Sequence, residues 1–123
     1  MKAINSNKAP EALGPYSQGV VTGDLIFLSG QLGIDRQTGK LEEGVEGQTR
    51  QAFKNISYVL EEAGLTLDAV VKVTVLLADI NDFTAVNEVY AEQFDQPFPA
   101  RSAFAVKDIP AGALVEIEVI ASK

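Results

Sequence analysis

Cysteine and histidine are both absent from this chain of 123 residues. Without cysteine there is no disulfide framework, no thiol nucleophile and no thiolate metal ligand. Without histidine there is no imidazole base, no Ser-His-Asp triad and no zinc site of the usual kind. Acid–base chemistry therefore falls to carboxylates, tyrosine, lysine, backbone groups or water. Long apolar runs are missing as well. Nothing approaches the ~18 consecutive apolar residues of a membrane span, and residues 1–14 lack the apolar stretch of a signal peptide. The expectation is a soluble, cytoplasmic protein with no membrane association. Hydrophobic residues make up 46% and charged residues 22%, which excludes disorder and coiled coil and fits one globular domain over residues 1–123.

The net charge is −7 and sits in the second half. Residues 1–60 balance six basic against six acidic side chains, whereas residues 61–123 carry four basic and eleven acidic ones. Such a surface repels phosphate backbones, so nucleic acid is a disfavoured partner. Between Lys72 and Lys107 the only basic residue is Arg101. It offsets its acidic neighbours, or it is an isolated cation kept for an anionic ligand.

Patterning predicts a mixed α+β chain. Residues 20–21 and 25–28 flank Thr22-Gly23-Asp24 and read as a hairpin whose second strand continues to about residue 32. A polar loop over 33–47 follows. Ala52, Phe53, Ile56, Val59, Leu60 and Ala63 have helical spacing and predict a helix over 46–63, stopped by Gly64. Residues 70–78 are β-branched and apolar throughout, like a strand buried on both faces. A second helix is expected over 82–94, capped by Asn81 or Asp82. Phe83, Val86, Tyr90 and Phe94 form its inner stripe. Asn87 shares that stripe, either as a satisfied structural amide or as a pocket contact. Strands are expected over 100–106 and 114–121. The first of these should lie parallel to the strand from Val70, and both helices should cover one face of a mixed sheet. In the last strand Glu116 and Glu118 share a face, which is solvent, an interface or a site.

No phosphate-binding glycine loop is present. The residues left with chemical capacity are Arg101, whose planar fork takes a carboxylate bidentately, Glu116, which can orient a water, and Tyr16 on a Gly-Pro loop. Taken together, the segments around them resemble the YjgF/RidA family of reactive-intermediate deaminases, also called the liver perchloric-acid-soluble protein family. The resemblance spans about residues 9–121. It rests on Gly14-Pro15-Tyr16-Ser17-Gln18-Gly19, Ser29-Gly30-Gln31, Asn81-Asp82-Phe83 and Val86-Asn87. The most specific pair is Phe98-Pro99-Ala100-Arg101-Ser102 with Val115-Glu116-Ile117-Glu118.

The resemblance implies a fold like Bacillus-type chorismate mutase, with the last strand inserted into the sheet, and a homotrimer with clefts between subunits. It implies hydrolysis of 2-imino acids, or their enamine tautomers, released by pyridoxal-phosphate enzymes, to 2-keto acids and ammonia, with no metal and no cofactor of its own. Carried onto this sequence, Arg101 grips the substrate carboxylate and Glu116 orients or activates water. Tyr16, Ser29, Gly30, Asn87 and Phe98 line the cleft, and Ala103 supplies backbone groups. Many relatives have cysteine where this chain has Ala103, so any role of that thiol is lost here. Two other readings remain open at this stage: a non-catalytic regulatory trimer that binds keto or amino acids, and an endoribonuclease, which the acidic charge opposes.

Overall fold

The computed structural model describes residues 1–123. A main sheet is built from β1 (Lys2–Ile4), β2 (Gly19–Thr22), β3 (Leu25–Leu28), β4 (Gln31–Leu32), β7 (Val70–Leu77), β8 (Ala100–Ala105) and β9 (Val115–Ser122). Its order is β1-β2-β3-β9-β7-β8, with β4 also paired to β9. A small ribbon of β5 (Ile34–Asp35) and β6 (Lys40–Leu41) leads into helix α1 (Gly44–Glu61). Helix α2 (Phe83–Ala91) carries the chain from β7 to β8, which run parallel; every other pairing is antiparallel. The last strand does insert, between β3 and β7, instead of pairing with β8.

The core lies between one face of this sheet and the two helices. Along β7, Val73, Val75 and Leu77 are buried; along β9, Val115, Ile117, Val119 and Ala121 are. They pack with Ala52, Phe53, Ile56, Val59 and Leu60 of α1 and Val86 and Tyr90 of α2 in one hydrophobic cluster. Phe53, Tyr90 and Phe94 form an aromatic triangle with centroid separations of 5.0–5.8 Å. The other face is uncovered: Leu25, Phe27 and Phe104 are exposed on it. The prediction that residues 70–78 are buried on both sides is therefore corrected for the single chain. Lys72, Thr74 and Leu76 alternate onto the open face and are only partly buried.

Three local features depart from the sequence reading. The second strand of the first hairpin stops at Leu28, and the chain re-enters the sheet at Gln31. Phe27 pairs with Ile120 but Gln31 with Ile117, four residues against three, so one extra residue is accommodated at Ser29-Gly30. Helix α2 ends at Ala91, three residues early, and its entry is a short 3₁₀ turn. Asp82 stands at the N-cap of α2, as expected, but its side chain makes no capping bond; the capping bond belongs to the turn, where the Asp79 carboxylate accepts from the Asn81 backbone N–H. Strand β1 was not foreseen, because only Ile4 of its three residues is buried and no periodicity marks it.

Buried amides hold the irregular segments to α1. Asn55 Nδ2 donates to the carbonyls of Leu32 (3.0 Å) and Ile34 (2.9 Å). Gln48 donates to the Glu42 carbonyl at 3.1 Å and accepts from the Leu114 N–H at 2.8 Å, pinning the start of β9. These bonds satisfy loop backbone that burial would otherwise leave unpaired.

Candidate active site

The expected site residues fall into two groups within one chain. The first lies on α2 and β8. Arg101 registers with Val73 across the β7–β8 pairing, so its side chain leaves the sheet on the helix-covered face. There Arg101 Nη1 donates to Asn87 Oδ1 at 2.6 Å. The guanidinium carbon lies 4.7 Å from the Tyr90 ring centroid and 5.5 Å from that of Phe83. A concavity of about 410 Å³ is lined by Arg101, Asn87, Tyr90, Ala91, Phe98 and Pro99. Ala103 follows on the same strand and packs against the core edge.

Arg101 forms no salt bridge. The two ion pairs in the molecule are Lys8–Glu61 and Arg50–Glu92, at 3.3 and 3.4 Å, and both are exposed. A cation that only offset the acidic half of the chain would meet a carboxylate. This one meets an amide oxygen and two aromatic faces, which leaves guanidinium N–H groups unused.

The second group gathers around Glu116. This residue registers with Leu76 and Leu32, on the sheet's open face. Its carboxyl is pushed above the usual carboxylate range, first by burial and then by the neighbouring Glu118 charge. The backbone of Gly30 approaches so closely that a β-carbon there would lie 2.8 Å from Glu116 Oε1. The preceding residue is fixed twice: Ser29 Oγ donates to the Ser17 carbonyl at 2.6 Å, and the Ser29 N–H donates to the Gln18 carbonyl at 2.9 Å. These bonds tie the extra residue of β3–β4 to the loop that carries Tyr16. Tyr16 is half exposed and lines, with Gly30, a concavity of about 380 Å³.

Within one chain the two groups do not meet. Arg101 and Glu116 leave opposite faces of the sheet. Their registers on β7 are three residues apart, about 10 Å along the strands. The sequence reading also missed the partners beneath Arg101. Phe83 and Tyr90 were assigned to the core stripe, although their spacing to Asn87, four and three residues, already put all three on one helical face. No three histidine, cysteine, aspartate or glutamate side chains converge as a metal site, and no helix is long and apolar enough to cross a membrane.

Comparison with known proteins adds a consistent pattern. Residues 6–123 match the family described as endoribonuclease L-PSP. The 2-iminobutanoate/2-iminopropanoate deaminase of Capra hircus is 51% identical over 121 residues, covering 98% of this chain and 88% of that protein. The human protein of the same name is 48% identical with the same coverage. The crystal structure of RidA from an Antarctic Psychrobacter superposes with a TM-score of 0.97 at 44% identity, covering all of both chains. That of Escherichia coli TdcF with bound serine superposes at 0.96 and 39% identity, covering 100% of this chain and 99% of that one.

Proposed function

This chain belongs to the endoribonuclease L-PSP family, the YjgF/RidA proteins, and from that membership we propose that it is an enamine/imine deaminase. It hydrolyses 2-iminobutanoate and 2-iminopropanoate to the 2-keto acids and ammonia. The observation that carries this reading is Arg101: a guanidinium clamped on one side by Asn87, Phe83 and Tyr90, with no carboxylate of its own. A small 2-imino acid offers the missing carboxylate, which the fork can take through two charge-assisted bonds.

The reaction asks little of the protein beyond placement. The imine carbon is already electrophilic, so water adds to give a carbinolamine with hydroxyl and amino groups on one carbon. The amino group is protonated, the C–N bond breaks, ammonia leaves and the hydroxyl oxygen becomes the keto oxygen. Glu116 orients the water and moves its proton to the departing nitrogen. A carboxyl whose pKa is raised by burial holds a proton more readily than an exposed one, which suits it to accept and return one. Tyr16, Ser29, Gly30, Phe98 and the backbone at Ala103 shape the cleft.

The opposite placement of Arg101 and Glu116 supports a site completed by a second copy of the chain. A homotrimer with three such clefts accommodates it, since one head-to-tail interface repeated three times closes a ring. The uncovered sheet face with Leu25, Phe27 and Phe104 supplies apolar area for that interface. The endonuclease in the family's description receives no support from a chain of net charge −7. A keto-acid-binding regulator would use the same Arg101 and differs in having no turnover.

The test generates 2-iminobutanoate in situ with threonine dehydratase and follows its disappearance. The wild-type protein accelerates the loss. Arg101→Ala lowers kcat/KM about 100-fold, the equivalent of one or two charge-assisted hydrogen bonds. Arg101→Lys stays well below wild type because the fork is gone. Binding of 2-oxobutanoate without any acceleration would replace the deaminase with the regulator.

A further inference from the structure

Tyr90 is the one buried side chain whose polar atom has no hydrogen-bond partner. Its hydroxyl is sealed in the core, where an unpaired polar group costs stability, and phenylalanine would fill the same space without that cost. What the ring does have is a charged neighbour. The Arg101 guanidinium carbon stands 4.7 Å from its centroid, within cation–π range. The ring also packs against Phe53 at 5.8 Å and Phe94 at 5.0 Å, centroid to centroid, which restricts its movement. Phe83, seven residues earlier, touches the same guanidinium at 5.5 Å, and Asn87 between them holds Nη1.

We propose that Tyr90 is a positioning residue for substrate binding, its ring braced by Phe53 and Phe94 to form the platform on which Arg101 is held flat and aimed. The proposal rests on the reading of Arg101 as the carboxylate-binding group. An arginine on an edge strand would otherwise sample many rotamers, and each would have to be frozen when substrate binds. A guanidinium already lying over the Tyr90 ring, with one nitrogen committed to Asn87, has fewer orientations left to its remaining N–H groups. Tyr90 itself stays out of the chemistry: its ring faces the cation, and its hydroxyl is enclosed. The platform acts equally on the ground and transition states, because the substrate carboxylate does not change during hydrolysis. Its loss therefore appears in KM and leaves kcat nearly unchanged.

The experiment compares Tyr90→Leu, Tyr90→Phe and Arg101→Ala with wild type in the 2-iminobutanoate assay. Calorimetric binding of 2-oxobutanoate and a melting temperature are measured for each. Tyr90→Leu is expected to raise KM and the 2-oxobutanoate Kd about 5- to 30-fold, the span of a partly desolvated cation–π contact, with kcat within about twofold. Tyr90→Phe, which keeps the ring, is expected to bring KM back to near wild type with a melting temperature no lower. A folded Tyr90→Leu with wild-type KM and Kd would overturn the platform, and so would a fall in kcat with KM unchanged. If Tyr90→Leu does not fold, Phe83→Leu carries the test through the second ring: a KM raised severalfold supports the platform, and an unchanged KM defeats it. If Arg101→Ala also leaves KM and Kd unchanged, the carboxylate-binding role itself has failed, and this inference fails with it.

Discussion

Gly30 and Glu116 occupy one space: the position of a β-carbon on Gly30 lies 2.8 Å from Glu116 Oε1 and 2.9 Å from the carboxyl carbon. Real β-carbons do not approach a carboxylate that closely. The glycine is where the chain steps out of register between β3 and β4, so the bulge and the carboxylate are one arrangement.

Gly30→Ala is therefore expected to displace the Glu116 carboxylate by about an ångström. A misplacement of that size costs on the order of 10- to 100-fold in kcat. The clash is with the end of a flexible side chain, so the fold survives, and the melting temperature should change by only a few degrees. Steady-state kinetics beside a thermal melt checks both. Wild-type kcat in this variant would remove Glu116 from the reacting centre.

With Glu116 as the proposed water-activating group, its raised pKa is expected to set the acid side of the pH profile. If the carboxylate form activates water, kcat/KM falls as pH drops through a value above the ordinary glutamate figure of about 4.3. Part of the shift comes from the Glu118 charge. Glu118→Gln is expected to move that limb to lower pH, and the comparison cancels any titration of the substrate. A limb that does not move would assign the profile to another group.

The same shift carries a stability consequence of opposite sense to activity. A carboxyl whose folded pKa is raised binds its proton more tightly in the folded chain. Its contribution is fully present below the unfolded value and is lost as pH rises through the folded one. Once ionised, Glu116 is thus a net cost to the fold. Glu116→Gln should melt higher than wild type at pH 7, with the difference vanishing toward pH 4, while deaminase activity collapses. A lower melting temperature at pH 7 would contradict the burial that raises this group.

Arg101 and Glu116 on opposite faces make a complementation experiment possible. Arg101→Ala and Glu116→Gln should each be nearly inactive alone. Unfolded together in equal amounts and refolded, they should recover about a quarter of wild-type activity, since one interface in four then takes an intact residue from each side of a closed ring. No recovery from fully exchanged hybrids would mean that both groups act from the same chain.

Much of this arrangement was readable from the residues alone. Period-3.6 spacing gave α1, and alternation put Glu116 and Glu118 together on one face of β9. The segments around Arg101 and Glu116 singled out the candidate site residues before any geometry. What the residues could not convey was the relation between the two halves. The face Arg101 leaves by depends on its register with Val73, a long-range pairing that no local pattern encodes. Tyr90 was placed in the core, and it is in the core; its second role appears only when β8 brings a cation over the ring. Asp82 is the α2 N-cap that the residues suggested, whereas the side-chain capping bond lies three residues earlier, at Asp79, because a 3₁₀ turn precedes the helix.

On the proposed shared-cleft reading, the separation of Arg101 from Glu116 ties catalysis to concentration. An isolated subunit holds two half-sites and no whole one. Activity then inherits the mass-action law of assembly. In a dilute solution of dissociated chains the amount of working enzyme rises with roughly the third power of total protein for a three-chain ring. On that reading, activity responds to synthesis level more steeply than in proportion, and chains far below the assembly concentration are present and silent.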